Sequence, residues 1–192
     1  MKNQNINSGR EMSKENMVKL RELQDKDAPF MLEWMHDPEI QKRFKKDMMT
    51  ASEDDALRFI KLSREENINK TGSSLHCAIV NENDEYLGTV SLKDIDYISK
   101  TAEFAITLRT KMHGNGYGYI ATDLMLRKGF EELGLHRVFL NVYANNLAAI
   151  RLYEKSGFKL EGEFRDHNFI DGKYVNLKWY GMLEDEFRET HK

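Results

Sequence analysis

The run His113-Gly114-Asn115-Gly116-Tyr117-Gly118 places three glycines at alternate positions. Glycine lets a backbone approach a ligand without Cβ obstruction. The flanking pattern predicts a strand over Thr101 to Arg109 and a helix over Tyr117 to Leu133. The first turn of a helix offers unpaired N–H groups and the positive end of the helix dipole. A glycine loop entering such a turn is a seat for a pyrophosphate. Two nucleotide readings fail. A P-loop needs G-x-x-x-x-G-K-[ST], but Tyr119 follows Gly118. A dinucleotide site wants an acid ~20 residues onward, where this chain has Leu140, Asn141 and Val142. The plain alternative is a tight loop that binds nothing.

The elements that must position this loop follow from periodicity and turn chemistry. Met17 to Leu23 reads as a first strand. Asp27 is placed to cap a helix with the apolar stripe Phe30, Met31, Trp34 and Met35, which Asp37-Pro38 ends. Ser52 and Asp55 form a capping box, with Asp in the usual Glu position, ahead of a helix carrying Ala56, Leu57, Phe59, Ile60 and Leu62. Strands are predicted at Leu75 to Val80 and Tyr86 to Ile95, joined through Asn81-Glu82-Asn83-Asp84. Another covers Arg137 to Tyr143. A helix then runs from Asn145 and Asn146 to about Ser156, with Gly157 as its stop. Asp171-Gly172 joins the final hairpin, Phe158 to Ile170 and Lys173 to Leu183. The result is an α+β, or mixed α/β, domain. Its sheet is largely antiparallel, with a strand–helix–strand unit around the glycine loop.

Bulk properties bound the function. The chain has 192 residues, 40% hydrophobic and 32% charged, which suits one domain with a good core. We expect a single domain over 17–192 and a disordered polar tail over 1–16. A net charge of -3, mixed in sign along the chain, gives no sign of nucleic-acid or membrane binding. No apolar run approaches the ~20 residues of a membrane helix. One cysteine, Cys77, excludes an intrachain disulfide framework and suits a reducing, cytoplasmic setting.

A second constellation follows the loop: Asn146, Ala149, Tyr153, Gly157 and Phe158. Asn146 and Tyr153 lie seven apart, on nearly one helix face and ~10 Å apart along its axis. An elongated ligand lying there could touch both. Together the two runs resemble the GCN5-related N-acetyltransferases (GNAT). That family carries Arg/Gln-x-x-Gly-x-Gly/Ala, then Asn-x-x-Ala-x-x-x-Tyr-x-x-x-Gly-Phe. The resemblance covers roughly Met17 to Leu183. The segment from Asp171-Gly172-Lys173-Tyr174 to Met182-Leu183 also resembles the branch containing ribosomal-protein and spermidine N-acetyltransferases.

The resemblance implies a twisted sheet of about seven strands flanked by helices, acetyl-CoA as cosubstrate, and no metal. It implies coenzyme A pyrophosphate on the loop amides of Gly114, Asn115, Gly116, Tyr117, Gly118 and Tyr119. The pantetheine arm would pair with backbone near Ile106, Thr107 and Leu108, and Asn146 would hydrogen-bond it. His113 stands where the family places Arg or Gln; Lys111 is a nearby cation that could compensate.

The implied reaction is acyl transfer from a thioester to an amine. An alkylamine is only ~0.1% neutral at pH 7, so a base or a water chain must take its proton. Glu103 is the candidate base, and a strand carboxylate paired to Lys or Arg is the equally ready reading of it. Asp94 and Asp96 are weaker candidates, more readily turn residues. A backbone N–H, with Leu108 as the choice, would polarise the carbonyl. Tyr153 takes the family role of protonating the departing thiolate.

Other groups carry bland readings. His36, His76, His136, His167 and His191 lack metal-ligand spacing. Cys77 reads as a small core residue. Trp34, Trp179 and the methionines read as core, although Met31, Trp34 and Phe44 could line the acceptor cleft. The acceptor is expected to be a small amine, polyamine or amino sugar. Alternatives are a protein N-terminus, as in a ribosomal-protein acetyltransferase, or a catalytically idle CoA-binding module. For a polyamine, acidity near the cleft could come from Glu33, Asp37, Glu39, Glu53, Asp54 and Asp55, though solvated helix faces explain these equally. An exposed strand of the C-terminal hairpin could support a homodimer.

Overall fold

A computed structural model describes residues 17–44, 47–69 and 73–191. The segment 1–16, expected to be a disordered tail, lies outside them. Among the described residues seven strands form one sheet in the order β1-β2-β3-β4-β5-β7-β6. They are β1 (Lys19–Glu22), β2 (Leu75–Val80), β3 (Tyr86–Asp96), β4 (Thr101–Leu108), β5 (Arg137–Tyr143), β6 (Lys159–Ile170) and β7 (Lys173–Leu183). Every neighbouring pair is antiparallel except β4–β5. This is the largely antiparallel, seven-stranded architecture expected from the sequence.

Among the described residues six α-helices flank it: α1 (Ala28–Met35), α2 (Pro38–Gln41), α3 (Glu53–Asn69), α4 (Tyr117–Arg127), α5 (Leu147–Lys155) and α6 (Glu184–Thr190). Alternation along the strands gives the sheet two apolar faces. One, with Leu92, Phe104, Val138 and Tyr180, packs with Met125 of α4 and Tyr153 of α5. The other, with Ala78 and Tyr86, packs with Met31 of α1 and Ile60 of α3. The capping box that starts α3 is present: Ser52 N donates to Asp55 Oδ2 (2.9 Å), and Asp55 N to Ser52 Oγ (3.2 Å).

Four details differ from the sequence expectation. Asp27 does not cap α1 through its side chain. Its carboxylate accepts from Gln24 N (2.9 Å) and from two nitrogens of Arg21 (2.7 and 2.9 Å), a stronger, charged partner. Asp37-Pro38 ends α1 but also starts α2, because Pro suits a first helical position; the Asp37 side chain accepts from Glu39 N and Ile40 N. Residues 184–190 form a further helix, α6, whose first turn is acidic and whose Phe187 is buried against Phe130. The helix expected to Leu133 is α-helical to Arg127 and continues as a wider turn, Lys128–Glu132.

Candidate active site

The two parallel strands touch over a short stretch. Their register comprises Thr101↔Arg137, Ala102↔Val138 and Glu103↔Phe139, and stops there. Beyond it β4 stays paired to β3 as far as Leu108↔Gly88, and β5 to β7 as far as Tyr143↔Leu177. Each strand is therefore held on its outer edge while the inner edges part. Arg109 N donates to Leu87 O on β3 (2.9 Å). Backbone groups alternate in direction along a strand, so the N–H and C=O of Leu108 and Ile106 point into the opening. Those of Thr107 point back to β3. Of the three β4 residues expected to pair a ligand, Ile106 and Leu108 offer backbone groups and Thr107 does not.

The glycine loop lies at the end of β4. Gly114 and Gly116 have φ of +80° and +81°. A Cβ at either would meet nothing within 4 Å, so backbone conformation, not space, calls for glycine there. Among the described residues the amides of Gly114, Asn115, Gly116, Tyr117 and Gly118 donate no hydrogen bond, whereas Tyr119 N is spent on Gly116 O (3.1 Å). Five consecutive free amides ahead of a helix form a concentrated donor array. Gly116 is the N-cap of α4 and supplies no side-chain acceptor of its own. The Asn115 side chain braces the loop by donating to His113 O (3.2 Å). The His113 ring turns back onto Leu108 O (3.2 Å). Tyr119 sends its ring sideways, beneath Lys155 Nζ (4.7 Å to the centroid).

Tyr153 projects from α5 into the core beside the opening. Its ring meets Phe104 of β4 edge-on (6.1 Å, 86°) and Phe158 (6.0 Å, 69°). Burial pushes its phenol up to about 12, with Arg43 acting in the opposite direction. Asn146 N donates to Tyr143 O (2.9 Å), and its side chain accepts from Ala149 N (3.3 Å). Its oxygen is therefore engaged in capping α5, and its amide nitrogen is the part left for a ligand. Gly157, at φ +94°, stops α5 so that Phe158 can turn under Tyr153.

Glu103 stands on the last paired rung. Its carboxylate accepts from Lys93 Nζ of β3 (3.0 Å) and Asn141 Nδ2 of β5 (3.3 Å). Ala102 and Phe104 belong to the α4-side core, so Glu103 lies on the opposite face of the sheet from Tyr153. The split runs between them.

Several other groups prove to be spoken for. Met31 and Trp34, considered for the cleft wall, are buried in the core under α1 and α3; Trp34 Nε1 donates to Tyr86 Oη (3.1 Å) and its ring stacks on Phe44. Burial raises the Cys77 thiol to about 11, as befits a core residue. Lys111 is drawn to Glu33 (3.4 Å) rather than standing free beside the loop.

One important residue left no mark in the sequence. Arg109, fully buried, closes β4 and donates to Glu33 (2.8 Å through both Nε and Nη2), Tyr86 O (2.7 Å) and Glu85 (3.2 Å). Phe30 lies over its guanidinium at 4.5 Å. Next to it the Thr110 hydroxyl donates to Asp37. These contacts tie the start of the glycine loop to α1 and α2. An arginine after a strand reads as a surface cation; only partners 76 residues away reveal its burial.

A family model described as an acetyltransferase (GNAT) domain matches residues 18–159. The chain belongs to the GNAT acetyltransferases. Among GNAT relatives, the spermidine N(1)-acetyltransferase of Vibrio cholerae is 34% identical over 101 residues. That alignment covers 53% of this chain and 58% of the relative, so the match spans little more than half of that protein. The uncharacterized N-acetyltransferase p20 of Bacillus licheniformis is 28% identical over 88% of this chain and 93% of its own length. A crystal structure of spermidine N-acetyltransferase from Vibrio cholerae, in complex with CoA and spermine, superposes with a TM-score of 0.78 at 26% identity. It covers 90% of this GNAT chain and 98% of its own.

Proposed function

We propose that this chain transfers the acetyl group of acetyl-CoA to a primary amine, with residues 17–192 acting as one catalytic domain. The observation that carries the reading is the split between β4 and β5, with five free amides at its mouth and a buried tyrosine beside it. Membership of the GNAT family and the likeness to a CoA-bound acetyltransferase support it.

The residues present fit the cosubstrate. The amides from Gly114 to Gly118 suit a pyrophosphate, and the bare edge of β4 suits the amide groups of a pantetheine arm. Ile106 would hold that arm by backbone pairing, and Asn146 through its side-chain nitrogen. When bound, acetyl-CoA supplies an activated acyl thioester. The Leu108 N–H faces the opening and would polarise a carbonyl there. Glu103, across the sheet from Tyr153, would accept the proton of the incoming amine. Tyr153, its phenol held protonated by burial, would give its proton to the departing sulfur.

The test is acetyl-CoA consumption across polyamines, amino sugars, amino acids and N-terminal peptides. Acetylation of any small amine supports the reading. Turnover confined to peptides points instead to a protein N-terminal acetyltransferase. Tight CoA binding without turnover would leave a CoA-binding module.

A further inference from the structure

Glu103 is gripped from both sides by a single oxygen. Lys93 Nζ of β3 and Asn141 Nδ2 of β5 both donate to its Oε1, at 3.0 and 3.3 Å. Among the described residues its Oε2 accepts no hydrogen bond. Two donors on one oxygen fix the carboxylate, while the second oxygen keeps its lone pairs. Lys93 stands directly opposite Glu103 in the β3–β4 register. An ordinary cross-strand ion pair accounts for that half of the grip, and it does not account for Asn141.

Phe139 is the last β5 residue in register with β4, across from Glu103 itself. Asn141 lies two positions further on and on the same face, where the strands have parted. Its amide therefore reaches Glu103 across the opening, past the point where backbone pairing stops. Asn141 is half-buried, and Trp179 stands opposite it in the β5–β7 register. The Trp179 ring lies 6.1 Å from that of Phe139. An amide beside these rings gives up water, and the bond to Glu103 offsets the loss. Lys93 pulls the carboxylate toward β3; Asn141 pulls it the other way, over the split. Two further side chains complete the electrostatic setting. His76 of β2, pushed down to about 4 by burial and then by the Lys93 charge, is neutral at working pH. Arg137 of β5 is matched by Glu161 of β6.

We propose that Asn141 is a positioning residue: it holds the Glu103 carboxylate over the opening, so that Oε2 is the atom presented to the incoming amine. The assignment rests on the acetyl-transfer reading and on Glu103 as its base. A proton passes from the ammonium nitrogen of the acceptor to Oε2. The N–H bond breaks, an O–H bond forms, and the freed lone pair attacks the thioester carbon. Without Asn141, the lysine alone would set the carboxylate, drawn back toward β3 and away from the split.

Two substitutions at Asn141 test this. Asn141→Leu fills the place beside Trp179 and Phe139 but donates nothing. Its kcat/KM for the amine is expected to fall by about 10- to 100-fold, with CoA affinity by calorimetry changed less than about twofold. Asn141→Asp keeps the shape and sets a like charge against Oε1. A like charge favours the protonated form, so the Glu103 titration is expected to move up by about one pH unit or more. It is read in the CoA-loaded protein by carbon NMR of isotope-labelled glutamate carboxyls, the Glu103 signal being the one lost in Glu103→Gln. The acid limb of kcat/KM is expected to move to higher pH with it. The kinetic arm uses spermidine, glucosamine, glutamate and an alanyl peptide. A Glu103 titration that moves less than about a third of a pH unit in Asn141→Asp overturns the proposal. So does a kcat/KM within about threefold of the parent in Asn141→Leu. Glu103→Gln as active as the parent overturns it by removing the base, and leaves acetyl transfer standing. No acetylation of any of the four acceptors by the parent overturns acetyl transfer, and the positioning role with it.

Discussion

Replacing Tyr153 by Phe removes one oxygen from a buried ring. The Tyr153 hydroxyl makes no hydrogen bond among the described residues, so its loss leaves no orphaned partner. Stability should stay within about 0.5 kcal/mol of the parent. The catalytic cost is another matter. A phenol at about 12 faces an ordinary thiol near 8.5, a gap of ~3.5 pKa units or ~5 kcal/mol against proton transfer. Burial narrows it: the Cys77 thiol of this same chain is pushed to about 11 by desolvation, and a sulfur leaving inside the split is desolvated as well. With the two acids nearly matched, general acid catalysis contributes its usual factor of about 10² to 10⁴. Stopped-flow or steady-state kcat for Tyr153→Phe should therefore fall by that amount, while CoA affinity, read by calorimetry, changes less than about twofold. The pH profile adds a check with a definite sign. A phenol raised to about 12 stays protonated well beyond pH 10, so the parent kcat should show no fall with a midpoint near 10, where an ordinary tyrosine ionises. A kcat within about threefold of the parent in the Phe variant would remove Tyr153 from the proton-transfer step.

Glu103→Gln should lower kcat/KM by about 10² to 10⁴ at neutral pH while leaving CoA binding intact; an unchanged pH profile would transfer the base role to water. Gly116→Ala forces an alanine to φ +81° and should cost ~1–2 kcal/mol while raising the KM for acetyl-CoA. Gly118→Ala, whose added Cβ would only reach ordinary contact with Leu108 and Leu152 at 3.4 Å, should do less; the order of the two is read by urea unfolding and KM. Arg109→Met strips a buried guanidinium from Glu33, Glu85 and the Tyr86 carbonyl. Because both acids can regain water, the loss should be ~3 kcal/mol, seen in calorimetry as a Tm lower by ~6–12 °C.

Local chemistry was legible where a few residues settle it. The Asp171-Gly172 turn, the alternating glycines before α4 and the Ser52–Asp55 box each act within their own stretch, and each is where it was expected. Asp27 and Asp37 show the limit. Both are good capping residues, but whether one caps depends on a competing partner such as Arg21, or on a proline serving two neighbouring helices at once. Arg109 and the point where β4 leaves β5 were illegible for a deeper reason. Burial of the arginine depends on α1, and the end of the parallel ladder on how two strands diverge in space. Neither leaves a periodic trace. Glu103 shows a mixed case: its strand position was clear, while its hold on Lys93 and Asn141 needed three strands together.

The brief pairing of β4 with β5 has a mechanical side. Three rungs join a four-stranded half-sheet to a three-stranded one. An extended donor arm lying along Ile106 and Leu108 would act as a surrogate strand and complete the seam. Folding and donor binding then become linked: at a donor concentration a hundred times its Kd, stability rises by ~2.7 kcal/mol. Scarcity of any molecule carrying that arm, acetylated or not, would loosen the seam first, and the chain's resistance to proteolysis would fall with it.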